Sequence, residues 1–294
     1  MIEILKSVLF GIVEGITEWL PVSSTGHLIL LSEFLKLDVA PALGATFAEE
    51  YSSMFEVVIQ LGAIIAVAVI YFQKLNPFSN RKTDVEKKGT WKLWGKVVIA
   101  SIPAALVGVV GDKLIEKITG KDIDGWIFNW KTVAAALVIY GILFIIIERF
   151  HKNKASVERV EDLSISQSLA IGCFQVLSIV PGTSRSGSTI LGARMLGVSR
   201  PAAAEFSFFL GIPAIAGAAL VKGLGFAKYV IETDILIPAT AVFALLVATF
   251  VSFAVSMVVV SFLVDFVKKH SFIPFGIYRI ALGALVMIYF LVRG

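Results

Sequence analysis

The chain has 294 residues, 57% of them hydrophobic and 16% charged, with one cysteine and a formal net charge of +4. Mean hydropathy is +0.87, while soluble domains carry about 25% charged residues. A water-soluble globule, a disordered chain and a disulfide scaffold are therefore excluded, and an all-α polytopic membrane protein remains.

The first predicted element, residues 2–35, is apolar but interrupted at Pro21-Val-Ser-Ser-Thr-Gly-His27. It offers no run of about 20 apolar residues. It reads as helix, break, helix: a re-entrant hairpin that dips into the bilayer and returns. Glu14 and Glu18 are four apart and share one helix face just before the break. An ionised carboxylate at the bilayer centre costs at least about 2.5–3.5 kcal/mol on insertion scales, so the pair marks a site. Ser23, Ser24, Thr25 and His27 fill the break. Hydroxyls in membrane helices commonly bond back to a carbonyl one turn earlier. Crowded beside Pro21, Gly26 and an imidazole, these read as site residues instead.

Three spans are predicted next, over 54–72, 93–110 and 132–147, separated by loops at 36–53, 76–92 and 111–131. Glu56 and Gln60 sit early in the first of them, where they either support the site or join helices.

The second half repeats the order. Residues 163–196 form another apolar segment, broken at Pro181-Gly-Thr-Ser-Arg-Ser-Gly-Ser-Thr189, and spans follow at 202–221, 236–264 and 272–292. Gly182 and Gly187 free the backbone to turn, and successive N–H groups at a helix start form an anion nest. Thr183, Ser184, Ser186 and Thr189 are expected to donate to phosphate oxygens, and Arg185 to add a bidentate cationic fork. The alternative for Arg185, an ion pair with Glu14 or Glu18, itself requires the two breaks to touch. Cys173 reads as a core residue, Glu205 as a counterpart of Glu56, and Arg279 and Asp265 as interfacial or paired structural charges. The small-residue stretch 211–219 permits close helix packing, within one chain or in a homodimer.

The halves, 1–150 and 151–294, read as two inverted-topology repeats forming one integral membrane domain. Three spans per half is odd, so the second half enters upside down, and paired broken helices meet near the midplane. Basic residues cluster at 74–96 and at 149–159. Placed in the cytoplasm, they put both termini outside and leave no role for nucleic acid.

Together the breaks offer acids, an imidazole and hydroxyls from one half and a phosphate cradle from the other. Phosphoryl transfer requires that complement. Glu14 and Glu18 also suit a hard divalent cation, Mg²⁺ or Ca²⁺, bridging to the substrate. A pocket within the bilayer admits a head group whose lipid tail stays in the membrane, so the expected substrate is a lipid phosphate or diphosphate. The rival from another class is a transporter of polyprenyl phosphate, since broken helices in inverted repeats are typical of transporters too.

Glu14-Gly-Ile-Thr-Glu18-Trp-Leu-Pro-Val-Ser-Ser-Thr-Gly-His27 and Pro181-Gly-Thr-Ser-Arg-Ser-Gly-Ser-Thr189 resemble the two signature motifs of the bacterial undecaprenyl pyrophosphate phosphatase family, also called the bacitracin resistance protein family. The resemblance extends along the whole chain and includes Phe55-Glu-Val-Val-Ile-Gln-Leu-Gly62. It implies hydrolysis of undecaprenyl diphosphate to the monophosphate and inorganic phosphate, recycling the carrier lipid for peptidoglycan and conferring bacitracin resistance. It also implies residence in the bacterial cytoplasmic (inner) membrane with the site facing the periplasm. Its catalytic and binding residues fall at Glu14, Glu18, Ser24, His27, Arg185 and their hydroxyl neighbours. Ser24 as nucleophile, with Glu18 or His27 as base, and His27 as the nucleophile itself both remain open at this level.

Overall fold

A computed structural model describes residues 1–111, 129–150 and 155–293. Most of the expected 111–131 loop, with Lys152 and Lys154, lies outside the described residues, as does the junction expected between the two halves. The described residues form helices: α1 (Ile2–Thr17), α2 (Ser24–Phe34), α3 (Gly44–Val58), α4 (Gln60–Ile70), α5 (Asp84–Leu106), α6 (Trp130–Phe150), α7 (Ile165–Val176), α8 (Arg185–Met195), α9 (Arg200–Thr233), α10 (Ala239–Lys269) and α11 (Ile273–Arg293).

Among the described residues five stretches are long and apolar enough to cross a membrane: Pro41–Ile70, Trp130–Phe150, Arg200–Thr233, Ala239–Lys269 and Ile273–Val292. The span expected at 93–110 falls on the second half of α5 and the π-helical turn Val107–Gly111 that follows it, and the first half of α5 carries Asp84, Glu86, Lys87, Lys88 and Lys92. Two expected loops are largely helical. Residues 44–53 belong to α3, and α5 begins at Asp84 because Thr83 and Glu86 form a reciprocal capping box. The Thr83 amide and hydroxyl hold the Glu86 carboxyl below its usual range. Ser164 and Gln167 start α7 in the same way.

Each broken segment is anchored by backbone approach to a long helix. A Cβ on Gly15 of α1 would stand 2.8 Å from the Ser252 carbonyl of α10, and Ser256 Oγ donates to the Gly15 carbonyl at 3.2 Å. Gly172 of α7 faces the Ala100 carbonyl of α5 just as tightly. Small residues let helices meet closely where lipid supplies no hydrophobic drive. Here they pull the acidic face of α1 inward, so that Glu14 and Glu18 are both buried. Trp19 is fully buried and packs edge-on against Phe208, ring centres 5.3 Å apart.

The two basic regions are tied together. Lys74 pairs with Glu161 at 2.7 Å and Glu205 at 2.6 Å, and Lys96 donates to the Glu161 carbonyl at 2.7 Å. Glu205 therefore serves this cluster and not the breaks. Nearby in sequence, Glu148 pairs with Arg194 at 3.2 Å and Arg200 at 2.6 Å. Asp265 pairs with Lys268 at 2.9 Å on the surface, as its structural role required. Cys173 is exposed, contrary to its expected place in the core. The residues on either side of it, Gly172 and Phe174, face α5 and α8, and a helix turns the intervening side chain outward.

Candidate active site

The two breaks share a local conformation. Ser23 and Ser184 are non-glycine residues with positive φ, 77° and 72°, a strain of about 1–3 kcal/mol each. Each is the N-cap of the helix that follows. Ser23 Oγ accepts from the Gly26 amide at 3.2 Å and Ser184 Oγ from the Gly187 amide at 3.0 Å. The cap bonds offset part of that strain, typically about 1 kcal/mol. The caps and the prolines of the two breaks are out of step by one residue. Matching Pro21 with Pro181 pairs Ser24 with Ser184, whereas the caps pair Ser23 with Ser184 and Ser24 with Arg185.

Ser24 and Arg185 are thus the first residues of α2 and α8, and both reach Glu18. Ser24 Oγ donates to Glu18 Oε2 at 2.8 Å. Arg185 donates from Nε and Nη2 to Glu18 Oε1 at 3.2 and 3.0 Å. Its Nη1 donates to the Ser207 carbonyl at 2.8 Å, and its guanidinium lies 5.5 Å from the Trp19 ring centre. Gly211 makes room for it, since a Cβ there would stand 2.7–2.9 Å from the guanidinium atoms.

A cavity of about 90 Å³ opens beside this pair and brings together Glu18, Ser24, Thr25, Gly182, Ser184 and Arg185. Gln60 reaches it from α4, and Ser178 and Val180 from the turn after α7. Gln60 was one of two readings from sequence; Ser178 and Val180 carry no motif and were missed. Glu56 instead accepts from Ser32 Oγ at 3.2 Å.

Other expected site residues stand behind the cavity. Ser186 Oγ donates to the Glu18 and Leu20 carbonyls at 3.0 and 3.3 Å, stitching one break to the other. Thr189 Oγ1 bonds the Arg185 carbonyl at 2.9 Å and Ser207 Oγ at 2.7 Å. Thr183 is 1% exposed and its carbonyl is taken by Arg279 at 3.0 Å. The side chains of Thr183, Ser186 and Thr189 therefore hold the cradle's shape and do not line it. Ser23 and Gly187 are spent on the caps. His27 also lies off the cavity, with Nδ1 2.7 Å from the Ser23 carbonyl and Nε2 2.6 Å from the Tyr278 hydroxyl.

Glu14 is fully buried, and among the described residues its carboxyl has no partner beyond the neighbouring Glu18 carboxyl. Two hard oxygens beside Glu18 fit a small divalent cation. Mg²⁺ is commonly held by one or two carboxylates plus substrate oxygens, whereas Ca²⁺ takes six to eight oxygens. Among the described residues no group of three or more His, Cys, Asp or Glu assembles, so the donor set fits an ion shared with substrate and not an all-protein cage.

Arg279, expected as an interfacial or paired structural charge, is 0% exposed. Its Nη1 donates to the Pro21 carbonyl at 3.1 Å, and its Nη2 to the Gly182 and Thr183 carbonyls at 2.7 and 3.0 Å.

A family model described as bacitracin resistance protein BacA matches residues 7–285. The undecaprenyl-diphosphatase of Streptococcus mutans is 49% identical over 292 residues, covering 99% of this chain and 97% of its own. That of Acetivibrio thermocellus is 47% identical over 292 residues, covering 99% of each. The undecaprenyl-diphosphatase of Enterococcus faecalis is 46% identical over 287 residues, with 97% of each covered.

Proposed function

The chain belongs to the bacitracin resistance protein BacA family, and from that premise we propose that it is a membrane phosphatase. It hydrolyses undecaprenyl diphosphate to undecaprenyl phosphate and inorganic phosphate, and in doing so recycles a cell-wall carrier lipid and confers bacitracin resistance. The observation that carries the chemistry is the bond from Ser24 Oγ to Glu18 Oε2 at 2.8 Å, on the rim of a cavity floored by Arg185. A carrier for a lipid phosphate needs the cradle alone; a hydroxyl already paired with a base belongs to an enzyme.

In this mechanism the diphosphate enters the cavity head first and its oxygens draw on Arg185, which has a planar fork to share between phosphate and Glu18. First-turn N–H groups of α8 and α2, which have no partner inside their own helices, add donors from both sides. Ser24 Oγ attacks the terminal phosphorus in line while Glu18 takes its proton. The bond from that phosphorus to the bridging oxygen breaks, and the lipid monophosphate leaves with the electron pair and takes the proton from Glu18, which returns to carboxylate. Water, deprotonated by Glu18, then attacks the phosphoserine, and inorganic phosphate departs as Ser24 regains a proton. His27 orients the break: both of its ring nitrogens are engaged, to Ser23 and Tyr278. Glu14 and Glu18 would hold a divalent cation, which when bound neutralises charge on the phosphate oxygens.

The basic cluster around Lys74, Lys96 and Glu161 supports a cytoplasmic placement of that end. Helix α7 leads away from it for twelve residues, about 18 Å, before the break. The site then lies deep in the slab and opens toward the outer face of the cytoplasmic membrane. The two similar breaks likewise support inverted repeats meeting there. Phosphate release from undecaprenyl diphosphate by the purified protein in detergent tests the proposal. Release that disappears in Glu18→Gln and Arg185→Ala is expected; a wild-type protein that binds the lipid without releasing phosphate would refute it.

A further inference from the structure

Arg279 is the one charged side chain at the breaks that the mechanism above does not use. It is wholly buried, faces the Tyr140 ring with its guanidinium 5.5 Å from the ring centre, and has no carboxylate partner among the described residues. Its Nε has no hydrogen-bond partner at all. The three carbonyls it binds belong to Pro21, Gly182 and Thr183, which lead directly into the strained caps Ser23 and Ser184. A buried cation inside a membrane protein is expensive. Carbonyl lone pairs satisfy its hydrogens but leave its charge unbalanced.

We propose that Arg279 is a positioning residue for phosphoryl transfer, holding the two breaks in register and aiming the Ser184 amide into the cavity. The proposal rests on the phosphatase function above. A trans peptide is planar, with its C=O and N–H on opposite edges. Anchoring the Thr183 carbonyl to Arg279 therefore turns the Ser184 N–H away from Arg279. Ser184 itself lines the cavity, so that N–H is an oriented donor for the terminal phosphate. The same guanidinium fixes the Pro21 carbonyl, and with it the approach to Ser24. Its uncompensated positive charge stands one peptide behind the cavity wall, where the diphosphate supplies the missing countercharge. Arg279 acts through the backbone and the field, without touching substrate.

The test compares wild type with Arg279→Lys and with Tyr140→Leu, which removes the ring facing the guanidinium. Three quantities are read in detergent: kcat and KM on undecaprenyl diphosphate, and the rise in Tm on adding orthovanadate, which needs no turnover. Misaligning one donor to developing negative charge lowers kcat by about 100-fold. Arg279→Lys is expected to fold, to lose that much kcat with KM changed less than about threefold, and to lose most of the vanadate rise. Tyr140→Leu is expected to lose about tenfold in kcat by loosening the same group. A folded Arg279→Lys with a lower Tm but wild-type kcat and vanadate rise would overturn the proposal, because the residue would then be structural only. Should Arg279→Lys fail to fold, Tyr140→Leu decides by the same two outcomes. A wild-type protein that releases no phosphate would sink the phosphatase function instead, and the vanadate rise alone would then decide for or against Arg279.

Discussion

Ser24 and Arg185 hold opposite oxygens of a single carboxylate. Ser24 Oγ is 2.8 Å from Glu18 Oε2, and Arg185 Nη2 is 3.0 Å from Glu18 Oε1. Each is the first residue of the half-helix that follows its break, so the proposed nucleophile and the proposed anion-binding cation occupy equivalent places in two similar turns. In the proposed mechanism one carboxylate between them would couple substrate binding to activation of the hydroxyl: as phosphate draws on the guanidinium, Glu18 would be freed to accept the Ser24 proton.

Arg185→Ala should reduce phosphate release by about 10³-fold or more, the scale of an arginine that stabilises a transferring phosphoryl group. Arg185→Lys should restore little of it, because a single ammonium cannot reproduce the fork that spans Glu18, the Ser207 carbonyl and substrate. Steady-state kinetics on undecaprenyl diphosphate checks both.

Gly211→Ala should disturb Arg185 from behind. Its new methyl would meet the guanidinium at 2.7–2.9 Å, and overpacking of this kind costs about 1–3 kcal/mol. Activity should fall with a modest drop in Tm. Gly217→Ala is the matched control on the same helix, with nothing within 4 Å of the added carbon. It should leave activity and Tm close to wild type.

Removing divalent cations with EDTA should suppress turnover, and added Mg²⁺ should restore it. Glu14→Gln should weaken the response to Mg²⁺, since Glu14 is the carboxylate whose oxygens have no partner beyond Glu18 among the described residues. Full activity in excess chelator would remove the cation from the mechanism and leave Glu14 as a buried proton partner.

Glu148→Gln should lower stability without touching the chemistry. The Glu148 side chain is 1% exposed and holds both Arg194 and Arg200, and removing one partner of a buried ion pair costs about 3–5 kcal/mol. The Tm in detergent should drop by several degrees while kcat below the transition stays within about twofold of wild type.

The two broken hairpins and the meeting of Glu18 with Arg185 were legible because interruptions and paired charges are conspicuous in an apolar chain. The roles of individual hydroxyls were not. Thr183, Ser186 and Thr189 carry the same donor chemistry as Ser184, and only the positive φ at Ser184 and the direction of α8 decide which faces the cavity. The helical content of 36–53 and 76–92 was hidden by polar composition, although Thr83 and Glu86 carry a capping signal three residues apart. Arg279 was missed for a different reason. It binds carbonyls alone, and no side-chain partner in the sequence points to it. The need for Gly211 was hidden too, because the guanidinium that takes up its space comes from Arg185 on the preceding helix.

The account turns on Ser24 as the atom that takes the phosphoryl group. Undecaprenyl diphosphate labelled in its terminal phosphate, mixed with enzyme, quenched in milliseconds and digested for mass spectrometry, identifies that atom. Label on Ser24, absent in Glu18→Gln, is the predicted result; label on His27, or full turnover in Ser24→Ala, would contradict it.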